Sequence, residues 1–238
     1  MNINQCDIQS LKLSRLSALL FAELGNGYRD YQAIAIDAFI QFVCQKPYVN
    51  KPAVLWLGCG AGKSIIIAAV VHWITMKAPE KKCISTAPSI GLAKNNRRKY
   101  LETGNPAGFF CGSEKSYNLN YPVTYGVINS FVNHLEQVLR YDIALLIIDE
   151  AHEKIEMQNQ LITAVLEKNP HCKVVKLSAT PFTEKGWIYD QHYLTGTEEH
   201  AAPEANATCI YQKTEADLIA EGYLTGYEVM PFNLEGYL

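Results

Sequence analysis

Three short clusters in the 238-residue sequence carry the side chains that handle phosphate, metal and water: GCGAGKS at 58–64, DEAH at 149–152 and SATP at 178–181. In the first, Gly60, Ala61 and Gly62 form a turn whose backbone N–H groups can wrap phosphate oxygens. Lys63 adds a cation for the β- and γ-phosphates, and Ser64 a hydroxyl for Mg2+. Leu57 stands where the full pattern G-x-x-x-x-G-K-[ST] begins with glycine, and reads as the last residue of a strand. In the second cluster, Asp149 holds Mg2+ through water and Glu150 orients or deprotonates an attacking water. In the third, Ser178 and Thr180 are placed to bond His152 or the Glu150 carboxylate and so relay the state of the site. The expected cofactors are ATP and Mg2+.

Each cluster has a plainer alternative. A bare GKS arises by chance in about one chain in ten of this length. An acidic tetrapeptide suits any helix start, and SAT suits any cap or turn. What favours chemistry is order and setting, because each cluster closes an apolar run. AVLWL precedes the first, ALLII the second and KVVKL the third.

Those runs alternate with helix-period segments: AVLWL with SIIIAAVVHWITM, KCISTA with IGLAKNNRRKYLE, VTYGVI with NSFVNHLEQVL, and IALLIID with KIEMQNQLITAVLE, before KVVKLSA. Strands buried on both faces and joined by helices predict repeated βαβ units. The expected fold is α/β, a three-layer α/β/α arrangement on a mainly parallel sheet, whose ligands sit at the carboxyl ends of the strands. Beyond residue 182 the pattern weakens to a partly irregular excursion, followed by a short helix at ADLIAEGYL.

Composition narrows the partners. A net charge of −3 and a pI near 6.1 exclude a generally basic nucleic-acid coat, so any nucleic-acid contact is local. Seven scattered cysteines, none spaced C-x-x-C, argue against a disulfide framework and a zinc knuckle and suit a reducing cytoplasm. The longest apolar run, Ile65 to Met76, is too short to span a bilayer, and no membrane partner is expected.

With these motifs in this order, the sequence resembles superfamily 2 helicases, two-lobed motors that move on or remodel nucleic acids at the expense of ATP. GCGAGKS is similar to their motif I, DEAH to motif II and SATP to motif III. Upstream, YRDYQ is similar to the adenine-reading element, which implies that Gln32 reads adenine and Arg29 braces it. Within the superfamily, ATPFTEKGWIYDQHYLTG and DLIAEGYLTG resemble the RadD-like bacterial DNA-repair helicases.

The resemblance implies a RecA-like first lobe of the P-loop NTPase type over residues 28–229, a helical extension over 1–27 and the start of a linker over 230–238. Motifs of a second lobe have no room, so that lobe is expected in a longer chain or a partner chain. The TAPSIGLAKNN segment keeps Pro88 and Leu92 and lacks the usual arginine and glutamine. Nucleic-acid contacts are implied for Ser89, Asn129 and Ser130 through hydroxyl or amide donors. Lys94, Arg97, Arg98 and Lys99 form either a further basic attraction or a solvated helix face. Trp187 and Tyr189 serve either packing or base stacking.

The implied function is an ATP hydrolase lobe that couples turnover to movement on DNA, single-stranded or branched, in DNA repair. Alternatives are a nucleotide-gated binding module, the motor of a restriction or remodelling complex, and an RNA helicase.

Overall fold

A computed structural model describes residues 28–44, 51–192, 200–203 and 205–226. The expected extension over 1–27 and linker over 230–238 lie outside them.

The apolar runs form strands where the periodicity places them: β1 (Ala53–Leu57), β2 (Lys82–Ala87), β5 (Val123–Val127), β6 (Ile143–Asp149) and β7 (Lys173–Ser178). They lie side by side in the order β1-β7-β6-β2-β5, every neighbouring pair parallel. The intervening helices are α2 (Lys63–Lys77), α3 (Ile90–Leu101), α4 (Ile128–Asn133), α5 (Leu135–Val138) and α6 (Ile155–Lys168). A helix α1 (Asp30–Cys44) precedes β1.

Alternate residues of the strands face two separate cores, which establishes the three layers. Leu55, Leu57, Cys83, Leu145, Ile147, Val175 and Leu177 pack with α1, α2 and α3 on one face. On the other, Val54, Ile84, Leu146, Ile148 and Val174 pack with α4 and α6. Leu57, Ile66, Ile67, Leu145 and Ile147 have no exposed surface, and each such side chain contributes about 1.5–3 kcal/mol relative to exposure.

Four features differ from the sequence expectation. The segment NSFVNHLEQVL is two helices, because the His134 backbone leaves helical geometry and its Nδ1 bonds the Ser130 carbonyl at 2.9 Å. A short parallel strand β3 (Gly108–Cys111) pairs with β5, and β4 (Ser116–Tyr117) turns back on it antiparallel.

After β7, a small hairpin forms from β8 (Phe182–Thr183) and β9 (Gly186–Trp187). The excursion then returns as β11 (Thr208–Lys213), parallel to β1, with β10 (Gln191–His192) outside it. β11 alternates buried and half-buried residues near the sheet edge, so it carries no continuous apolar run. A capped helix α7 (Glu215–Ala220) follows.

Candidate nucleotide-binding site

Because β1, β7, β6, β2 and β5 are parallel neighbours, their carboxyl ends form one edge. That edge carries the glycine turn after β1, Ser178 at the end of β7 and Asp149 at the end of β6. The Pro88–Ser89 turn and the start of α4, Ile128–Ser130, follow β2 and β5 on it. The sheet therefore brings the three sequence clusters together, although 114 residues of chain separate Ser64 from Ala179. This is the edge at which open α/β sheets bind ligands.

Leu57 is the last residue of β1 and is fully buried, so the departure from the full glycine pattern is a core side chain closing the strand. The turn then reverses through Gly60 (φ 76°) and Gly62 (φ 79°), a left-handed conformation that favours glycine. At Gly62 a second constraint applies, since a Cβ there would meet the Gln32 Nε2 at 2.5 Å. Gly62 caps α2, so Lys63 and Ser64 occupy its first turn, where the free N–H groups and the dipole favour an anion.

Helix α1 pins this turn. The Gln32 Nε2 and the Tyr31 hydroxyl both donate to the Ala61 carbonyl, at 3.0 and 3.1 Å. The Gln32 Oε1 accepts from the Arg29 N–H at 3.0 Å. The Arg29 guanidinium bonds the Tyr31 hydroxyl and lies 5.6 Å from the centre of the Tyr223 ring, which meets Tyr31 edge-on. Gln32 is thus a buried strut beneath the turn, tied on both ends of its amide.

The charged centre is compact. Lys63 Nζ pairs with Glu150 Oε1 at 3.1 Å, and both side chains are mostly buried. Glu150 has φ 50°, a conformation uncommon outside glycine, so the backbone is bent at the residue that follows Asp149. Asp149 is 1% exposed. Its Oδ1 accepts from the Glu150 N–H at 3.0 Å and its Oδ2 from Asn96 Nδ2 at 2.8 Å. Burial holds its carboxyl up to about 6, above the usual carboxylate range, while the Asn96 amide pulls the other way.

His152 Nδ1 and the buried Ser178 hydroxyl lie 2.8 Å apart, and the Thr180 N–H donates to the same Ser178 Oγ at 3.1 Å. Glu150 Oε2 is 3.6 Å from His152, beyond hydrogen-bonding distance. The contact between DEAH and SATP thus runs from His152 to Ser178. Thr180 joins it through its backbone, its side chain being exposed.

The nucleic-acid candidates divide. Ser89 is exposed and caps α3, its Oγ accepting weakly from the Leu92 N–H at 3.4 Å. The Asn129 Oδ1 accepts from Lys154 Nζ, which also donates to the Pro88 carbonyl, at 2.9 and 2.8 Å. Lys154 therefore joins the DEAH loop to the Pro88–Ser89 turn and to the start of α4. Ser130 is buried, with its Oγ accepting from the Gly112 N–H at 2.9 Å. The basic stretch of α3 is locally paired: Lys94 with Glu114, Arg97 with the Ala107 carbonyl, and Arg98 and Lys99 with Glu102. Trp187 packs against Trp56, Phe182 and Tyr189.

Sequence reasoning passed over Lys154, Asn95 and Asn96. Asn95 Nδ2 donates to Ser64 Oγ at 3.0 Å, next to the Asn96 contact with Asp149. The available signal was two adjacent asparagines inside a helix, where asparagine is a poor former.

Among the described residues no group of three or more His, Cys, Asp and Glu is arranged to hold a metal. The residues present nonetheless fit Mg2+. One hydroxyl after a glycine turn and one carboxylate at a neighbouring strand end are the donor set of an ion that keeps several waters and shares phosphate oxygens. A groove of about 710 Å3 lies elsewhere, between the start of α6 and the β8–β9 hairpin, lined by Lys154, Ile155, Met157, Thr183 and Lys185 among others. The carboxyl edge of the sheet is the better candidate because it holds the convergent charged and glycine residues.

The sheet, the turn at the start of α2 and the acidic end of β6 define a RecA-like lobe with the fold of superfamily 2 helicases. Residues 26–183 match the family model described as type III restriction enzyme, res subunit. That match spans well over half of the sequence, and the chain belongs to this family.

Solved structures with a similar fold include the UvsW helicase of bacteriophage T4, at 18% identity and a TM-score of 0.52, covering 76% of this chain and 62% of that one. Dbp5 of S. cerevisiae, bound to Gle1 and IP6, matches at 17% identity and a TM-score of 0.55, covering 86% and 52%. The Type ISP restriction-modification enzyme LlaGI, in complex with a DNA substrate mimic, matches at 12% identity and a TM-score of 0.54, covering 82% and 20%. The chain thus spans less than two thirds of each. No curated protein sequence matched. Among the described residues no helix is long and apolar enough to cross a membrane.

Proposed function

We propose that this chain is the ATP-binding lobe of a superfamily 2 motor that couples ATP hydrolysis to movement on DNA. The observation that carries the reading is the Lys63–Glu150 pair, set between the glycine turn and the buried Asp149 at one edge of the sheet. Gly60, Ala61, Gly62, Lys63 and Ser64 bind the phosphates, Ser64 and Asp149 hold the Mg2+ side, and Arg29 and Gln32 serve the base. Bound Mg2+ supplies charge neutralisation of the phosphates. Glu150 orients and deprotonates the attacking water, and His152 with Ser178 and Thr180 relays the change toward the outer surface. Ser89, Asn129 and Ser130 form the strand-binding surface, of which Ser89 and Asn129 offer the more accessible groups.

The lobe spans residues 28–229, with an extension before it and a linker after it. A second RecA-like lobe, in a longer chain or in a partner chain, supplies an arginine finger, which is worth about 10³ to 10⁵ in rate. The RadD-like segments support a cytoplasmic role in DNA repair. A second reading, the motor of a restriction complex acting without strand separation, is supported by membership of the type III restriction enzyme, res subunit, family.

The test is hydrolysis of ATP by the purified chain, with and without single-stranded, branched or duplex DNA and with RNA. The proposal predicts nucleotide binding with slow turnover that DNA raises little. Fast DNA-stimulated turnover by the isolated 238 residues would overturn the division of labour between two lobes.

A further inference from the structure

Helix α3 touches the site twice, from neighbouring positions. Asn95 is half-buried and donates to Ser64 Oγ at 3.0 Å, its own Oδ1 held by Arg98 Nη2 at 3.0 Å. Asn96 is 1% exposed and donates to Asp149 Oδ2 at 2.8 Å. Ser64 and Asp149 are the two groups proposed for the metal side, and they come from different elements, the start of α2 and the end of β6. The two adjacent amides therefore fix both from one helix that packs against α2 and β2.

A second observation concerns the other half of the Asn96 amide. Its Oδ1 is buried and has no hydrogen-bond partner. Such an orphaned acceptor is costly in a protein interior and calls for an explanation such as an ion or an ordered water. An apolar side chain at this core-facing position of α3 would pack without that cost. The chain instead carries a carboxamide whose nitrogen binds the Asp149 carboxylate and whose oxygen, on the same planar group, is left free beside it.

We propose that Asn96, assisted by Asn95, is a positioning residue for the metal half of the nucleotide site. Asn96 orients the Asp149 carboxylate and offers its free Oδ1 to a water of the metal's shell, while Asn95 fixes the Ser64 hydroxyl. The inference rests on the nucleotide reading above and adds residues outside its three sequence clusters. Outer-shell partners of metal ligands orient the ligands and tune affinity. Here both partners come from a single helix whose first residue follows the Ser89 cap.

The test measures binding of a fluorescent ADP analogue to the purified chain as Mg2+ is titrated from EDTA upward, for wild type, Asn96→Ala and Asn95→Ala, with a thermal melt of each. The expected result is a Mg2+ half-saturation raised about 10- to 100-fold in Asn96→Ala and less in Asn95→Ala. Affinity in EDTA should stay unchanged. Asn95 is only half-buried, so Asn95→Ala decides the matter if Asn96→Ala does not fold. Folded variants with an unchanged Mg2+ requirement, or with affinity lost equally in EDTA and in Mg2+, would overturn the positioning role alone. A wild-type chain that shows no Mg2+-dependent nucleotide binding would overturn the nucleotide reading, and this inference with it.

Discussion

Lys63 is held by Glu150, so under the proposed function a phosphate displaces that carboxylate before the lysine is available. Replacing Glu150 by Gln removes that competitor while keeping the side chain's shape. At 3.1 Å and an effective dielectric near 20, the gross attraction is about 5 kcal/mol. Desolvation of both groups and partial solvent contact reduce the net value of such a pair to ~1–2 kcal/mol. Glu150→Gln is therefore expected to tighten Mg2+-nucleotide binding about 5- to 30-fold, at roughly 1.4 kcal/mol per tenfold. The same substitution lowers the stability of the free chain by a comparable amount and removes hydrolysis. Titration with a fluorescent ADP analogue, alongside urea unfolding without ligand, measures both. Unchanged or weaker nucleotide binding by a folded Glu150→Gln protein would show that the ion pair does not compete with phosphate.

Three further outcomes are expected. Asp149 is raised to about 6 by burial, so the folded, metal-free chain holds this proton more tightly than the unfolded chain, whose carboxyl titrates near ~3.9. Its contribution to stability is full below pH ~4 and is lost as pH rises through about 6, by up to ~3 kcal/mol. Urea midpoints in EDTA should show this slope, Asp149→Asn should remove it, and an identical slope in the variant would refute the assignment.

Gly62→Ala forces a Cβ against Gln32 at 2.5 Å with φ 79°, a cost of about 1–3 kcal/mol. Adding Gln32→Ala should recover part of it by relieving the close contact, and strictly additive melts would contradict the close approach. Lys154→Met removes the ammonium bonded to the Pro88 carbonyl and Asn129. Single-stranded oligonucleotide binding, read by anisotropy, should fall several-fold with nucleotide affinity intact. Equal oligonucleotide affinity would separate Pro88 and Asn129 from the strand path.

How far the sequence could be read follows from the physics of each element. Strands buried on both faces leave continuous apolar runs, which is why β1, β2, β6 and β7 are legible nearly to the residue. β11 shows one half-exposed face and polar residues, so it hides inside an apparent irregular excursion although it is a parallel neighbour of β1. α4 and α5 read as one helix because the break comes from the His134 side chain taking a local carbonyl, which leaves the apolar spacing intact.

At the site, the glycine turn and DEAH are local strings, and parallel strand order alone brings them together. The Asn96 contact with Asp149 spans 53 residues, and that of Lys154 with Pro88 spans 66. Such contacts depend on how α3 and the DEAH loop pack across the sheet edge, which no local pattern encodes. Gln32 is a comparable case. The motif implies contact with a base, and the structure shows the strut it forms with Ala61 beneath the phosphate turn.

The measurement closest to the central claim is calorimetric titration of the purified chain with ATP and Mg2+, wild type against Lys63→Ala. The account predicts saturable one-to-one binding that Lys63→Ala abolishes while the thermal melt stays near that of wild type. Absence of binding by the wild-type chain at millimolar ATP, or equal binding by a folded Lys63→Ala protein, would contradict it.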